Sequence, residues 1–128
     1  MSTFPPDLRY TNDHEWLRAQ GSNWRVGITQ FAVDALGDIT LVDLPKEGDQ
    51  VTKGQRFGTV ESVKSVSDLY APVSGRVIAV NAALKDSPED VNAEPYGKGW
   101  MIELEATDKA EIDELMNAEA YGKHVAAQ

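Results

Sequence analysis

Apolar and polar residues alternate over short stretches of this chain, and a period of two is typical of half-buried β-strands. Residues 15–18 and 24–28 predict two strands joined by a turn at residues 21–23, where the sequence reads Gly-Ser-Asn. Nearer the other end, Trp100, Ile102 and Leu104 recur at every second position and predict a further strand. The pattern therefore favours a fold built mainly from short strands.

The middle of the chain, residues 38–80, combines apolar stretches with closely spaced Gly and Pro residues. Its strands are predicted to be separated by turns, for example at residues 72–75. Residues 47–51 are loosely repeated by residues 73–77, which fits two strand-turn-strand halves folded together. Lys64 then lies at the hairpin between the halves. Frequent turns between short strands indicate a mainly β fold, a small barrel or sandwich with helical additions.

Two segments carry helix signals. Thr29 is suited to be the N-cap of a short helix, and Gly37 lies where a left-handed stop is expected. Residues 108–124 predict a single C-terminal helix, begun by a capping box of Asp108 and Glu111. Its apolar stripe is narrow, so we expect it to pack on the outside of the barrel.

At 128 residues the chain has the length of one domain, in which residues 1–9 form a polar, loosely ordered lead-in. The absence of cysteine excludes disulfides, thiolate metal sites and cysteine nucleophiles. His14 and His124 stand near opposite ends, so we expect no multi-histidine metal site. The net charge of −9 argues against nucleic acid as a partner, because phosphate binding requires clustered Lys and Arg.

The chain carries no signal for a membrane. No apolar run approaches the roughly 18 residues that a membrane-spanning helix needs. The first residues lack the basic and apolar blocks of a secretory signal peptide. We therefore expect a cytoplasmic protein of bacterial type, or a mitochondrial matrix protein if a transit peptide has been removed. We also expect a monomer.

Lys64 is the candidate for chemistry, because it is a single lysine at a predicted hairpin tip. An ordinary lysine is protonated at neutral pH and is a poor nucleophile unless a pocket or a cationic neighbour activates it. The adjoining sequence supplies neither, so we do not expect Schiff-base catalysis. A rigid, exposed tip does suit an enzyme that modifies the lysine and has to read its backbone shape. The residues by themselves leave open both modification and plain surface charge.

A set of motifs resembles the H protein family of the glycine cleavage system. The motifs are Tyr-Thr-Asn-Asp-His-Glu-Trp at 10–16, Val-Gly-Ile-Thr at 26–29, Leu-Gly-Asp at 36–38, Glu-Ser-Val-Lys at 61–64, Pro-Val-Ser-Gly at 72–75 and Pro-Tyr-Gly-Lys-Gly-Trp at 95–100. Glu-Ser-Val-Lys alone has low specificity, but the ordered set is highly specific. The resemblance covers nearly the whole chain and continues into the C-terminal helix.

The resemblance implies a barrel-sandwich hybrid of the lipoyl and biotinyl carrier type, with lipoate as a cofactor in amide linkage to Lys64. It implies a carrier rather than an enzyme, with no catalytic residue of its own. A pyridoxal-phosphate glycine decarboxylase would load the arm with the aminomethyl group of glycine, and a tetrahydrofolate-dependent aminomethyltransferase would take it over. A dihydrolipoyl dehydrogenase would then reoxidise the arm. A tether raises the effective concentration of the arm at each partner.

The resemblance also implies residues that are read by the lipoylating enzymes. Glu61 lies three residues before Lys64, and Gly75 lies eleven residues after it. The structural alternative for Glu61 is a solvated charge at a strand end. For Gly75 it is a turn glycine that requires a positive φ, and this is the role that we predict for it.

A cleft for the loaded arm is the last site that the resemblance implies, and its lining residues are Asp13, Glu15, Ile28 and Asp68. There the arm is protected from hydrolysis, and Glu15 and Asp68 are suited to pair with its protonated amine. Ala35 departs from relatives that have a polar residue at this position. His14, next to an aromatic residue, is interpreted as structural.

Several alternatives stay open. A carrier of another complex is disfavoured, because a biotin carrier is expected to show Met-Lys-Met, whereas Val63 and Ser65 flank Lys64. A relay protein that hands lipoate to other enzymes is not separated from the shuttle by sequence. An unmodified interaction module would keep its mass when offered lipoate and a ligase. The many acidic residues after residue 85 form either a solvated face or a means of steering weak encounters.

Overall fold

The computed structural model describes residues 4–127, and this part of the chain contains nine strands and five short helices. The strands are β1 (Arg9–Tyr10), β2 (Glu15–Gln20), β3 (Asn23–Ile28), β4 (Ile39–Asp43), β5 (Gln50–Val51), β6 (Arg56–Ser62), β7 (Val66–Tyr70), β8 (Gly75–Val80) and β9 (Ile102–Ala106). The helices are α1 (Gln30–Leu36), α2 (Ala83–Asp86), α3 (Asp90–Ala93), α4 (Lys109–Asp113) and α5 (Ala118–Ala126). The predicted predominance of short strands is confirmed. Of the helices in the described range, none has the length and apolar character to cross a bilayer.

The strands form two antiparallel sheets. The larger sheet has the order β1-β2-β3-β9-β8-β5, and the smaller has the order β4-β6-β7. The β6–β7 hairpin stands at the edge of the smaller sheet, with Glu61 opposite Val66 and Thr59 opposite Asp68. Its connecting residues include Lys64, so the predicted hairpin tip is confirmed.

Local turn and cap signals explain where several elements begin and end. The hydroxyl oxygen of Thr29 accepts from the N–H of Ala32 at 3.3 Å and caps α1. Gly37 ends α1 with φ 80°, as its position after the helix predicts. Gly21, with φ 63°, makes the tight turn between β2 and β3, and β4 ends two residues before Pro45. Each of these features depends only on residues that are neighbours in the sequence.

The core has two parts. The larger part lies between the sheets and includes Leu17, Val26, Val60 and Leu104, all fully buried. The smaller part lies beneath α5 and is mainly aromatic, with members Phe4, Leu8, Tyr10, Trp16 and Tyr121. Burying a large apolar side chain contributes roughly 1.5–3 kcal/mol, so the larger part stabilises the packing of the two sheets and the smaller part holds the terminal segments on them.

The prediction of one continuous helix over residues 108–124 is wrong. The helix stops after α4, because Met116 pairs with Tyr10 in an isolated antiparallel bridge. The N–H of Met116 donates to the carbonyl of Tyr10 at 3.0 Å, and the reverse bond measures 2.8 Å. Asn117 then starts α5 by accepting the N–H of Ala120 at 2.8 Å. A long-range backbone pairing thus divides a segment whose local pattern is helical.

Only half of the predicted capping box forms. Asp108 caps α4 by accepting the N–H of Ala110 at 2.9 Å. The carboxylate of Glu111 instead accepts the N–H of Ser74 at 2.6 Å and its hydroxyl at 3.2 Å. The tail is therefore tied to the turn before β8. It also contributes the fully buried Tyr121, so it does more than cover the outside of the barrel.

The loosely ordered lead-in predicted for residues 1–9 is contradicted from Phe4 onward, while residues 1–3 lie outside the described range. Phe4 and Leu8 are buried, and the ring centroid of Phe4 lies 4.7 Å from that of Tyr121. Arg9 already belongs to β1. Aromatic packing across the chain termini therefore orders a segment that has little local structural preference.

The alternation predicted over residues 100–105 holds only within β9. Ile102 and Leu104 are buried, but Met101 is also fully buried and Trp100 is half-exposed. The N–H of Met101 donates to the carbonyl of Val26 at 2.8 Å, which turns its side chain inward before β9 begins. Trp100 packs instead against the guanidinium of Arg25, 4.3 Å from its ring centroid.

Candidate functional site

Lys64 lies at the tip of the β6–β7 hairpin, and its side chain is exposed. The N–H of Ser62 closes the turn by donating to the carbonyl of Ser65 at 2.8 Å. The hydroxyl oxygen of Ser62 accepts the N–H groups of Lys64 and Ser65, each at 3.2 Å. The N–H of Val63 donates to the carbonyl of Asp38 at 3.0 Å and ties the tip to the start of β4. The backbone of the tip is held while the lysine side chain stays accessible.

The stem of Lys64 lies over Gly37. A Cβ atom at Gly37 would be 3.4 Å from Cε of Lys64, which is ordinary van der Waals contact, so it is the φ of 80° with ψ −156° that favours glycine here. The amide nitrogen of Asn92 donates to the carbonyl of Gly37 at 2.9 Å, and its oxygen accepts the N–H of Ile39 at 2.9 Å. The surface beneath Lys64 is therefore fixed from the side of α3.

A cavity of about 290 Å³ opens between α1, β7 and the loop before β2. Its apolar lining consists of Ile28, Ala32, Ala35, Leu36, Val60 and Leu69. Its acidic lining consists of Asp13, Glu15 and Asp68. The structure thus brings together all four residues that the family resemblance assigns to a cleft. The volume is at the lower end of the range for small-molecule sites.

Glu15 is the buried acid of this cavity. Its side chain is 2 % exposed, and burial raises the pKa of the carboxyl to about 8. The hydroxyl of Thr11 donates to Oε1 at 2.9 Å, and the N–H of Tyr70 donates to Oε2 at 3.1 Å. Both donors favour the ionised form and oppose the effect of burial. Glu15 therefore links the loop before β2 to β7, across the back of the cavity.

The other assigned cleft residues have different surroundings. Asp68 is exposed, and its carboxylate lies 3.8 Å from the guanidinium of Arg56. Asp13 is exposed and its N–H donates to the hydroxyl oxygen of Thr11 at 3.2 Å. Ile28 is buried at the end of β3, opposite Glu15. The cavity therefore has an apolar floor, a buried acid at its back and two exposed acids at its edges.

A second cavity of about 220 Å³ lies on the other side of Glu15. It is bordered by Lys53 and Glu114, which form an ion pair at 2.6 Å. It does not include Asp68, Ile28 or any residue of α1. The cavity of about 290 Å³, which β7 and α1 border on the side of Lys64, is therefore the candidate cleft because of its lining.

Glu61 occupies a partly apolar surface beside Lys64. It is half-buried in β6, opposite Leu41 of β4 and Val66 of β7. Cross-strand partners project from the same face of a sheet, so the three side chains form one row. Leu41, Val63 and Val66 are 45 %, 67 % and 63 % exposed, and within residues 4–127 they are the exposed large apolar side chains. The exposed large apolar side chains of the described residues therefore lie together next to the lysine.

Gly75 is not a turn glycine with positive φ, so that prediction is wrong. It is buried at the start of β8, and the left-handed glycines of the described range are Gly21, Gly37, Gly48 and Gly54. A Cβ atom at Gly75 would lie 2.5 Å from the carbonyl oxygen of Glu105 in β9. Glycine is needed here because two backbones approach closely.

Sequence reasoning did not find Tyr121. The tyrosine lies on α5, 107 residues after His14, yet its hydroxyl lies 2.8 Å from Nδ1 of His14 and 2.7 Å from the hydroxyl oxygen of Thr29. The only sequence signal is the helical spacing of Ala118, Tyr121 and Val125 on one face. That spacing predicts a buried face but does not show what the face contacts.

Comparisons with known proteins agree with this geometry. The family model described as glycine cleavage H-protein matches residues 8–128. A glycine cleavage system H protein from Carboxydothermus hydrogenoformans is 52 % identical, covering 96 % of this chain and 95 % of the relative. One from Geobacillus kaustophilus is 56 % identical, covering 91 % and 92 %.

A solved structure supports the same fold assignment. The crystal structure of a glycine cleavage system H protein from Mycobacterium marinum has a TM-score of 0.88 and 43 % sequence identity. It covers 96 % of this chain and 99 % of its own. The barrel-sandwich expectation is thereby confirmed together with the family resemblance. This chain belongs to the glycine cleavage H-protein family.

Proposed function

We propose that this chain is the lipoyl-carrying shuttle of a glycine cleavage system, with lipoate in amide linkage to Lys64. The observation that carries the proposal is the hairpin tip, whose backbone is held by four hydrogen bonds while Lys64 itself is exposed beside an acid-edged cavity. Family membership supports the same role. The chain provides attachment, shelter and recognition, and it acts as a carrier and not as an enzyme.

The residues present fit a lipoyl arm. An acyl group on Lys64 removes a charge that no ion pair of the described residues uses, so attachment breaks no ion pair among them. The apolar floor of the cavity suits a hydrocarbon chain and a dithiolane ring, and its acids suit a cationic cargo. Lipoate, when attached, supplies a disulfide that is opened to carry the aminomethyl group and is later re-formed by oxidation.

The partners are those of the glycine cleavage system. A pyridoxal-phosphate glycine decarboxylase loads the carrier, a tetrahydrofolate-dependent aminomethyltransferase unloads it, and a dihydrolipoyl dehydrogenase reoxidises it. The chain acts as one domain and as a monomer in this cycle. A second role as a relay that supplies lipoate to other proteins uses the same attachment site, Lys64, and no feature of the structure favours it over the shuttle.

The cleft holds the cargo through two acids. Asp68 at the edge and Glu15 at the back of the cavity would offer carboxylate oxygens to the protonated amine of the cargo. Because burial raises the pKa of Glu15 to about 8, its carboxyl is largely protonated at neutral pH in the empty cleft. A nearby ammonium group favours the ionised form, so docking of the cargo is coupled to release of a proton from Glu15.

The double variant Glu15→Gln/Asp68→Asn is expected to shorten the lifetime of the loaded carrier by roughly 10-fold or more, because two charge-assisted hydrogen bonds are lost. The lifetime is measured as the release of formaldehyde and ammonia from isolated loaded protein. The matched control is Asp86→Asn/Glu89→Gln, which also neutralises two carboxylates but at exposed positions that do not border the cavity. Equal lifetimes for both double variants would refute the cleft assignment.

Recognition by the lipoylating enzymes depends on Glu61 and Gly75 in different ways. An enzyme that acylates Lys64 must place its active site on the lysine nitrogen, so it contacts the adjoining surface. Glu61 is partly accessible there and lies between the exposed side chains of Leu41 and Val66. Gly75 is buried, so it acts by allowing β8 to pack on β9 and not by direct contact.

Intact-mass measurements with a lipoate ligase, ATP and lipoate test both parts of this proposal. The wild-type protein is expected to gain the mass of one lipoyl group. Glu61→Gln is expected to lower the initial rate by roughly 5- to 10-fold, the cost of one lost charged contact at an interface. Glu47→Gln is the control, because Glu47 is an exposed acid in the turn before β5.

The outcomes of this assay separate the two claims. A wild-type chain that stays unmodified would overturn the proposed function. A Glu61→Gln variant that is modified as fast as Glu47→Gln would overturn only the recognition role of Glu61.

A further inference from the structure

The hydroxyl of Tyr121 lies where two walls of the candidate cleft meet. One wall is α1, which carries Ala32, Ala35 and Leu36 and is capped by Thr29. The other is the loop before β2, which ends at His14. Tyr121 and Thr29 are both fully buried, and the hydroxyl of Tyr121 bridges Thr29 at 2.7 Å and His14 at 2.8 Å. A residue of the C-terminal helix thus connects both walls without lining the cavity itself.

The proton positions follow from counting donors and acceptors. The hydroxyl oxygen of Thr29 accepts the N–H of Ala32, and if its proton is donated to Tyr121, the Tyr121 proton is available for Nδ1 of His14. In the reverse direction, with Tyr121 donating to Thr29, the proton of the fully buried Thr29 hydroxyl has no acceptor among the described residues. The satisfied chain therefore runs from Ala32 through Thr29 and Tyr121 to His14, with the ring proton of neutral His14 on Nε2.

His14 is held in a conformation that needs such support. Its φ of 69° is left-handed, which costs a residue other than glycine free energy. Its carbonyl accepts the N–H of Thr29 at 2.9 Å, and its ring lies 4.6 Å from that of Phe31. Since Glu15 is the next residue, the orientation of His14 determines where the buried acid enters β2.

We propose that Tyr121 is a positioning residue for the arm cleft. Its hydroxyl holds the capped start of α1 and the left-handed His14 at a fixed separation, so that Glu15 faces the apolar residues of α1 across the cavity. The proposal rests on the proposed function of the cleft as the shelter of the loaded arm. It gives the C-terminal helix a role in cargo protection, although no residue of α5 borders the cavity.

The variant Tyr121→Phe removes only the bridging hydroxyl. The ring contacts remain, because Tyr121 stacks on Tyr10 at 4.6 Å and meets Phe4 at 4.7 Å through its ring. The matched control is Tyr10→Phe, which removes the other hydroxyl of the same stacked pair. That hydroxyl donates to the carbonyl of Pro5 at 2.6 Å and does not reach α1 or His14.

Two measurements on the full-length protein test the proposal. First, the loaded carrier is expected to decay roughly 3- to 10-fold faster in Tyr121→Phe than in Tyr10→Phe, the range that one net hydrogen bond supplies. Second, ¹⁵N NMR of the unmodified protein is expected to show the His14 proton on Nε2 in wild type and in Tyr10→Phe, with a changed tautomer balance in Tyr121→Phe. The second measurement needs no lipoate. Tyr121→Phe loses two hydrogen bonds, to Thr29 and to His14, whereas Tyr10→Phe loses one, so the free energy of unfolding is measured for both and is expected to fall further in Tyr121→Phe.

The outcomes separate this inference from the function on which it rests. If loaded wild-type protein decays as fast as its urea-unfolded form, the cleft does not shelter the arm and the proposed function of the cleft fails. If wild type is protected and Tyr121→Phe is protected as well as Tyr10→Phe, only the positioning role fails. An unchanged His14 tautomer in Tyr121→Phe would also overturn that role.

Discussion

Replacing Lys64 with arginine is expected to abolish lipoylation and to lower the glycine–bicarbonate exchange rate with a glycine decarboxylase by roughly 10²- to 10⁴-fold, which is the factor that a tether supplies. Arginine keeps the positive charge and the length of the side chain, but its guanidinium does not form the amide that lipoate requires. The exchange is measured as incorporation of labelled bicarbonate into glycine by the reconstituted system.

The fold of the Lys64→Arg variant is expected to be unchanged. Lys64 is exposed, and the hydrogen bonds that hold the hairpin tip come from backbone groups and from Ser62. The free energy of unfolding should therefore stay within about 0.5 kcal/mol of the wild-type value. A lipoyl group found on Lys64→Arg, or exchange that persists at the wild-type rate, would show that the arm is attached elsewhere or is not needed.

The second large effect concerns the pH dependence of stability, which Glu15 is expected to dominate. Burial raises the pKa of Glu15 from 4.5 to about 8 in the folded protein. Below about pH 4.5 the carboxyl is protonated in both the folded and the unfolded state, and the contribution of Glu15 to the free energy of unfolding is complete. Between these values the unfolded chain has released the proton while the folded chain still holds it. The stability contribution is therefore lost progressively as pH rises from about 4.5 to about 8.

The expected slope is about 1.4 kcal/mol per pH unit within this window, for a total on the order of a few kcal/mol. Glu15→Gln removes the titration. Its amide oxygen can accept the N–H of Tyr70 and its NH₂ group can donate to the hydroxyl oxygen of Thr11, but it carries one donor more than the protonated carboxyl. The variant should therefore gain stability relative to the wild type between pH 5 and pH 9, whatever their difference at pH 5. Urea unfolding at pH 5, 7 and 9 measures the difference between the two proteins.

Asp68→Asn is the control for this measurement, because Asp68 is an exposed carboxylate on the edge of the same cavity. Its stability relative to wild type should change little between pH 5 and pH 9. Parallel stability curves for wild type and Glu15→Gln would contradict the buried environment assigned to Glu15. If instead the wild type gains stability relative to Glu15→Gln as the pH rises, the hydrogen bonds from Thr11 and Tyr70 outweigh the effect of burial on the pKa of Glu15.

Only part of the candidate site can be predicted from residues that are neighbours in the sequence. The hairpin with Lys64 at its tip, the helix between Thr29 and Gly37 and the turn at Gly21 follow from residue preferences that act over a few positions. The cleft was reached only through resemblance to a family. Composition and spacing give no indication that Glu15 would accept the N–H of Tyr70, 55 residues away.

The errors of sequence reasoning share one cause. Residues 108–124 have a helical pattern, but pairing of Met116 with Tyr10 divides the helix. Gly75 has the sequence of a turn glycine, but the approach of β9 is what excludes a side chain there. In both cases a contact between distant segments outweighed a local preference worth less than about 1 kcal/mol per residue.

The sequence by itself determined the class of fold, the hairpin tip and the exposed lysine, because turns, caps and strand periodicity depend on neighbouring residues. The tertiary structure decided what surrounds that lysine: the burial of Glu15, the apolar row beside Glu61 and the bridge from Tyr121 to His14 and Thr29. These features need residues that are far apart in the chain to meet. The burial of Glu15, Thr29 and Tyr121, and hence the raised pKa of Glu15 and the hydrogen bonding of Tyr121, exists only after the two sheets and the C-terminal helix have packed together.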